Sequence, residues 1–178
     1  IPAEPLFRSS IGILKEAGVG TLAEAGNMQF LDMVLGNRGG AFGEVCAIAL
    51  LLGAIYLLCR KVIDLWTPLS ILLTVFVFTG ICYLIDPTQY IAPWYHLIYG
   101  GLLLGAFFMA TDMVTSPMTW QGKLLFGFGI GVITVVIRLW GAYPEGVSFA
   151  ILIMNAFTPL INKAFKPQVF GAVKPSKK

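Results

Sequence analysis

Thr67-Pro68-Leu69-Ser70-Ile71-Leu72-Leu73-Thr74-Val75-Phe76-Val77-Phe78-Thr79-Gly80-Ile81-Cys82-Tyr83-Leu84-Ile85 is a stretch without a single charged side chain. Wound as an α-helix it would reach about 30 Å, the thickness of a bilayer's hydrocarbon core. Four similar apolar runs surround it: Phe42 to Leu58, Trp94 to Ala110, Leu124 to Trp140 and Val147 to Ile161. Each is most simply a helix, because backbone that faces lipid must satisfy its own hydrogen bonds. The expected fold class is therefore an all-α polytopic membrane protein with five transmembrane helices.

Composition agrees. Of the 178 residues, 57% are hydrophobic and only 12% charged, with a mean hydropathy of +0.83; that leaves too little charge to cover a soluble globule. Three regions follow: an extramembrane arm over 1–40, a five-helix bundle over 41–162 and a basic tail over 163–178. The arm is mixed in polarity, with an amphipathic stretch from Ile11 to Leu35 interrupted near Gly18 and Gly20. A start at Ile1, with no basic segment leading into a cleavage site, suggests the C-terminal part of a longer polypeptide.

The charges select one orientation. Arg60, Lys61, Lys123, Lys163, Lys166, Lys174, Lys177 and Lys178 cluster at one set of run ends, which the positive-inside rule makes cytoplasmic. The loops from Asp86 to Pro93 and from Gly141 to Gly146 are poor in Lys and Arg, so they and the N-terminal arm belong outside. Topology accounts for the net charge of +3 without a nucleic-acid partner. Trp94, Tyr95, Trp140 and Tyr143 suit the outer interface, Trp66 and Trp120 the inner. Gly101 with Gly105, and Gly127, Gly129 and Gly131, are expected to form close packing faces. Cys46, Cys59 and Cys82 lack metal-binding spacing and are expected as reduced core residues.

Ionisable groups near the hydrocarbon are costly and so are functional candidates. Glu44 and Glu145 sit at the outer starts of the first and fifth runs, where an acid complements the helix dipole. Glu145 is also within loop reach of Arg138. Gly43-Glu44-Val45 and Glu145-Gly146-Val147 echo each other, either by chance or as a trace of repeat architecture. Asp112 falls at a helix end where the dipole disfavours an anion, and so needs a cation, a helix N-terminus or hydroxyls nearby. These three acids are the ion-path candidates. His96, the single histidine, is expected at the outer interface rather than as a ligand. No catalytic constellation or metal cluster stands out, and from the residues alone a small transporter and a component of a larger assembly both remain open.

Three ordered segments go further. Leu35-Gly36-Asn37-Arg38-Gly39-Gly40-Ala41-Phe42-Gly43-Glu44, the stretch from Gly100 to Asp112 ending Ala110-Thr111-Asp112, and Ala142-Tyr143-Pro144-Glu145-Gly146-Val147-Ser148-Phe149-Ala150-Ile151-Leu152-Ile153-Met154-Asn155-Ala156 resemble the signature blocks of the NqrB/RnfD family. They are most similar to its RnfD branch, which belongs to the ion-translocating Rnf complex.

The resemblance implies one half of a ten-helix, urea-transporter-like fold in the cell inner membrane. It also implies a component of a redox-driven ion pump, not an enzyme by itself, that works with other Rnf-type subunits in moving Na+ or H+. The NqrB component of the sodium-pumping NADH:quinone oxidoreductase, or a non-redox transporter or scaffold half of the same fold, are the alternatives. The family carries covalent FMN on a threonine outside the membrane. Aligning Ile11-Gly12-Ile13-Leu14-Lys15-Glu16 with the stretch that follows the family motif brings Ser9 to that position, behind Phe7-Arg8 instead of small residues. A serine-linked flavin at Ser9, an attachment threonine upstream, and no covalent flavin all stay open, with Thr21 a weaker candidate; the missing motif favours the upstream or lost site.

Overall fold

A computed structural model describes residues 46–86, 90, 92–98, 101–141 and 146–166. Among them the chain is all-helical. Helix α1 spans Ala47–Cys59, α2 Trp66–Ile85 and α3 Pro93–Ile98; α4, Leu102–Leu104, runs into a π-helical segment, Gly105–Met109; α5 spans Trp120–Trp140 and α6 Val147–Ala164. Helices α2, α5 and α6 are each long and apolar enough to cross a membrane, with mean hydropathies of 2.2, 1.8 and 1.3.

Local chemistry sets the helix ends. Pro68 is tolerated in the first turn of α2, where its missing N–H would have had no helical partner. Asp86 precedes Pro87 and stops the same helix. Thr119 caps α5, its Oγ1 accepting from the Gly122 N–H at 3.2 Å. Helix α5 consequently starts four residues before the expected Leu124, and Lys123 lies in its first turn. Helix α1 closes with a Schellman motif: the Lys61 N–H donates to the Leu58 carbonyl and the Val62 N–H to the Leu57 carbonyl, both at 3.0 Å. Lys61 adopts φ 53°, a left-handed conformation costing a non-glycine residue about 1 kcal/mol.

Helix α5 is the hub, packed most extensively on α2 and next on α6. Its glycines divide the work. A Cβ on Gly127 would lie 2.7 Å from the Ser70 Cβ and 2.8 Å from the Thr67 carbonyl oxygen; on Gly131 it would lie 2.7 Å from the Thr74 Cβ. Gly129 faces Met154 of α6 instead. The seam between α2 and α5 thus brings backbones together, which suits lipid, where burial of apolar area supplies little drive between helices. Ser70 Oγ donates across it to the Leu124 carbonyl at 2.8 Å. Ile71, Val75, Phe126, Ile130 and Val135 fill the core around this seam, with Ala150, Ile151 and Met154 from α6. Large apolar side chains such as Leu52, Leu73, Leu84, Leu152 and Leu160 point outward, as expected of helices surrounded by acyl chains.

The third run departs from expectation. In place of one helix from Trp94 to Ala110, α3 ends at Ile98, Gly101 turns left-handed at φ 58°, and the chain resumes as α4 and the π segment. Gly101 is therefore a turn residue and not half of a packing pair, whereas Gly105 does pack, directly under Val147 of α6. A hydropathy pattern reports burial and cannot register this backbone break. The cysteines also divide: Cys82 is buried, Cys46 half-buried and Cys59 exposed, none of them in a disulfide, so only Cys82 is a core residue.

Candidate functional site

The ends of α1 and the π segment, the starts of α2 and α5, and the end of α6 meet at one end of the bundle. There Lys61, Asp64, Thr67, Thr111, Ser116 and Lys123 line a cleft of about 200 Å³, together with Met113, Pro117 and Met118. Lys123 and Asp64 form an ion pair across it. The Met118 N–H donates to Asn162 Oδ1 at 3.2 Å, tying the loop before α5 to the end of α6. Trp66 and Trp120 begin α2 and α5 here, their rings 6.0 Å apart and both half-exposed. These are the loops whose lysines and arginine the charge pattern assigned to a single side.

Asp112 lies at this same end, next to the cleft-lining Thr111 and Met113, but is exposed. Its Oδ2 accepts from Thr115 Oγ1 at 3.2 Å, and its Oδ1 from the Val114 N–H at 3.4 Å. Of the three partners its helix-end position called for, the structure supplies a hydroxyl. Ser9, Glu44 and Glu145, along with Thr21 and the acidic echo at the helix starts, lie outside the described residues.

At the opposite end, Arg138 is buried and donates from Nη1 to the His96 carbonyl oxygen at 2.7 Å. His96 is also buried, because α3 folds inward against α2 and the imidazole goes with it. Among the described residues, the His96 Nδ1 and Thr134 Oγ1 atoms are buried without a hydrogen-bond partner, as is Asn155 Oδ1 within α6. Pro159, four residues after Asn155, supplies no N–H to the Asn155 carbonyl within this membrane-length helix. Trp94 and Trp140 are exposed at this end, where interfacial anchors belong.

Residues 7–171 match the sequence model of the NQR2, RnfD, RnfE family. This chain belongs to the NQR2, RnfD, RnfE family.

Among curated members, the D subunit of the ion-translocating oxidoreductase complex of Stutzerimonas stutzeri is 44% identical over 82% of this chain and 41% of its own length. The D subunit of the proton-translocating ferredoxin:NAD(+) oxidoreductase complex of Clostridium ljungdahlii is 45% identical, over 90% and 50% respectively. For its counterpart in the Na(+)-translocating ferredoxin:NAD(+) oxidoreductase complex of Acetobacterium woodii, the identity is 42%, over 85% and 46%. The chain thus spans half or less of the length of these relatives.

Within the family frame, the resemblance drawn from the three signature segments is borne out. Two side-chain relationships of this NQR2, RnfD, RnfE family member are not among those expected from the sequence: the Asp64–Lys123 pair and the Arg138 bond to the His96 carbonyl. The first has a usable signal, since Asp64 is an acid set among same-side basic loops. The second has none, because a main-chain acceptor has no residue code.

Proposed function

We propose that this chain is the membrane-embedded half of an RnfD-type component of an ion-translocating ferredoxin:NAD+ oxidoreductase complex. The observation that carries this reading is the family match over residues 7–171, with relatives named for that complex at 42–45% identity. The five apolar runs correspond to one half of a ten-helix, urea-transporter-like fold. The N-terminal arm lies outside the inner membrane, and the basic tail in the cytoplasm. The partners are the other subunits of the complex. The names of relatives divide between proton and sodium translocation, so the ion is Na+ or H+.

Electron transfer in this reading is carried by a covalently attached FMN on the outer side, held at Ser9 or on a threonine upstream of it. When bound, FMN supplies the redox chemistry, while side chains position and tune it. Asp112 and Glu44 stand near a cation route, one toward each face, with Glu145 beside the outer one. Intact-mass spectrometry of the full-length protein, with in-gel flavin fluorescence and peptide mapping around Ser9, tests this. A mass increment matching FMN supports the electron-relay reading and locates the site. An unmodified, non-fluorescent protein moves the function to transport or scaffolding within the same family.

A further inference from the structure

The cleft between the α1–α2 loop and the start of α5 has an unbalanced charge. Its lining carries two lysines against one aspartate, and Asp64 is already paired with Lys123, which leaves the charge of Lys61 in excess. The flanking groups do not cancel it. Asp112, bonded only to the neutral Thr115 hydroxyl and Val114 N–H, keeps its charge, but Arg60 beside Lys61 offsets it and leaves the surroundings of the cleft positive. Neither α2 nor α5 has an acid in its first turn, and α2 has no side-chain cap, so the positive ends of two helix dipoles reinforce the lysines. Ser116 and Thr67 add hydroxyl groups to the wall.

Two further observations bear on the ligand. Lys61 holds a left-handed position that glycine would fill without strain, and it is one of the residues that line the cleft. Trp66 and Trp120 mark the same end as the level of the lipid headgroups. An anion that reaches this depth in quantity is the phosphate of a lipid. Lysines suit it as point charges, without the bidentate fork of arginine.

We propose that the cleft binds the phosphate of an anionic phospholipid headgroup, with Lys61 as its principal cation and Lys123 in support. The inference rests on the membrane placement of the chain, but on neither the flavin nor the identity of the transported ion.

The test is native mass spectrometry of the intact complex, delipidated in detergent and titrated with phosphatidylglycerol or phosphatidylcholine. The first phosphatidylglycerol adduct should bind about five-fold more tightly than phosphatidylcholine, the worth of one basic side chain at a membrane surface. Lys61→Gln should bring that ratio close to one. Lys61→Gly should do the same while relaxing the backbone, so that its loss of lipid cannot be laid to misfolding. Arg60→Gln, outside the cleft lining, should keep the preference. A preference that survives both Lys61 variants, or that falls equally in Arg60→Gln, overturns the site. Displacement of the lipid by millimolar inorganic phosphate overturns the lipid assignment in favour of a free anion. A complex without flavin on this chain that retains the lipid preference would defeat the electron relay and leave this site standing; flavin without the preference would do the reverse.

Discussion

Arg138 Nη1 and the main-chain oxygen of His96 are 2.7 Å apart, a charged donor on α5 holding the carbonyl of a short helix forty-two positions earlier in the chain. The contact fastens α3 to the bundle, since six residues cannot sustain a helix alone. Arg138→Leu removes a charged donor to a buried carbonyl, which should destabilise the protein by about 2 kcal/mol. Thermal unfolding of the detergent-solubilised complex would register this as a lower midpoint, and Arg138→Lys should fall between the two. An unchanged midpoint in Arg138→Leu would show that α3 is held by other means.

The seam between α2 and α5 should discriminate between glycines. Gly131→Ala would drive a methyl group into Thr74 at 2.7 Å, with the Ile71 carbonyl at 3.2 Å, costing about 1–3 kcal/mol. At Gly80 nothing lies within 4 Å of a new Cβ, so Gly80→Ala should stabilise α2 by about 0.5–1 kcal/mol. Opposite signs in a single unfolding assay would confirm the packing; equal effects would contradict it.

Thr119 is the side-chain cap of α5. Thr119→Ala should cost about 1 kcal/mol, and Thr119→Ser should recover most of it. Hydrogen exchange at Gly122 provides a local readout: protection should fall in the alanine variant and return with serine.

Asp112→Asn keeps the shape of the side chain but removes its charge. Its present contacts are local, to Thr115 and Val114, so assembly and unfolding midpoint should stay within about 0.5 kcal/mol of the unmodified protein. Coupled ion uptake into proteoliposomes should drop while electron transfer continues. Unaltered uptake would overturn the proposed place of Asp112 near a cation route.

The apolar runs are legible because lipid tolerates little else: α2, α5 and α6 fall close to where uncharged stretches end. Hydropathy starts α5 four residues late because Gln121, Gly122 and Lys123 dilute its first turn, although Thr119 is a capping signal. The break at Gly101 is hidden for a different reason. Gly100-Gly101 sits amid unbroken hydrophobicity, and only the backbone angle distinguishes a glycine that turns from one that packs. At the candidate site, Asp112 stands out by its unfavourable helix-end position, and its partner Thr115 is a near neighbour in sequence. Asp64 and Lys123, fifty-nine positions apart, are joined only by the tertiary arrangement of two loops.

The π segment at Gly105–Met109 has a bearing on how this protein tolerates insertion and deletion. A π turn is an α-helix that has absorbed a surplus residue. Removing one residue between 105 and 109 would return the stretch to ordinary winding, with the accommodation confined to that turn. The same deletion within α5 would swing every later side chain by about 100° and carry Gly131 away from α2. Length variation in this chain should therefore be absorbed at the π turn and rejected along the glycine seam, which makes Gly105–Met109 the natural place for a register change.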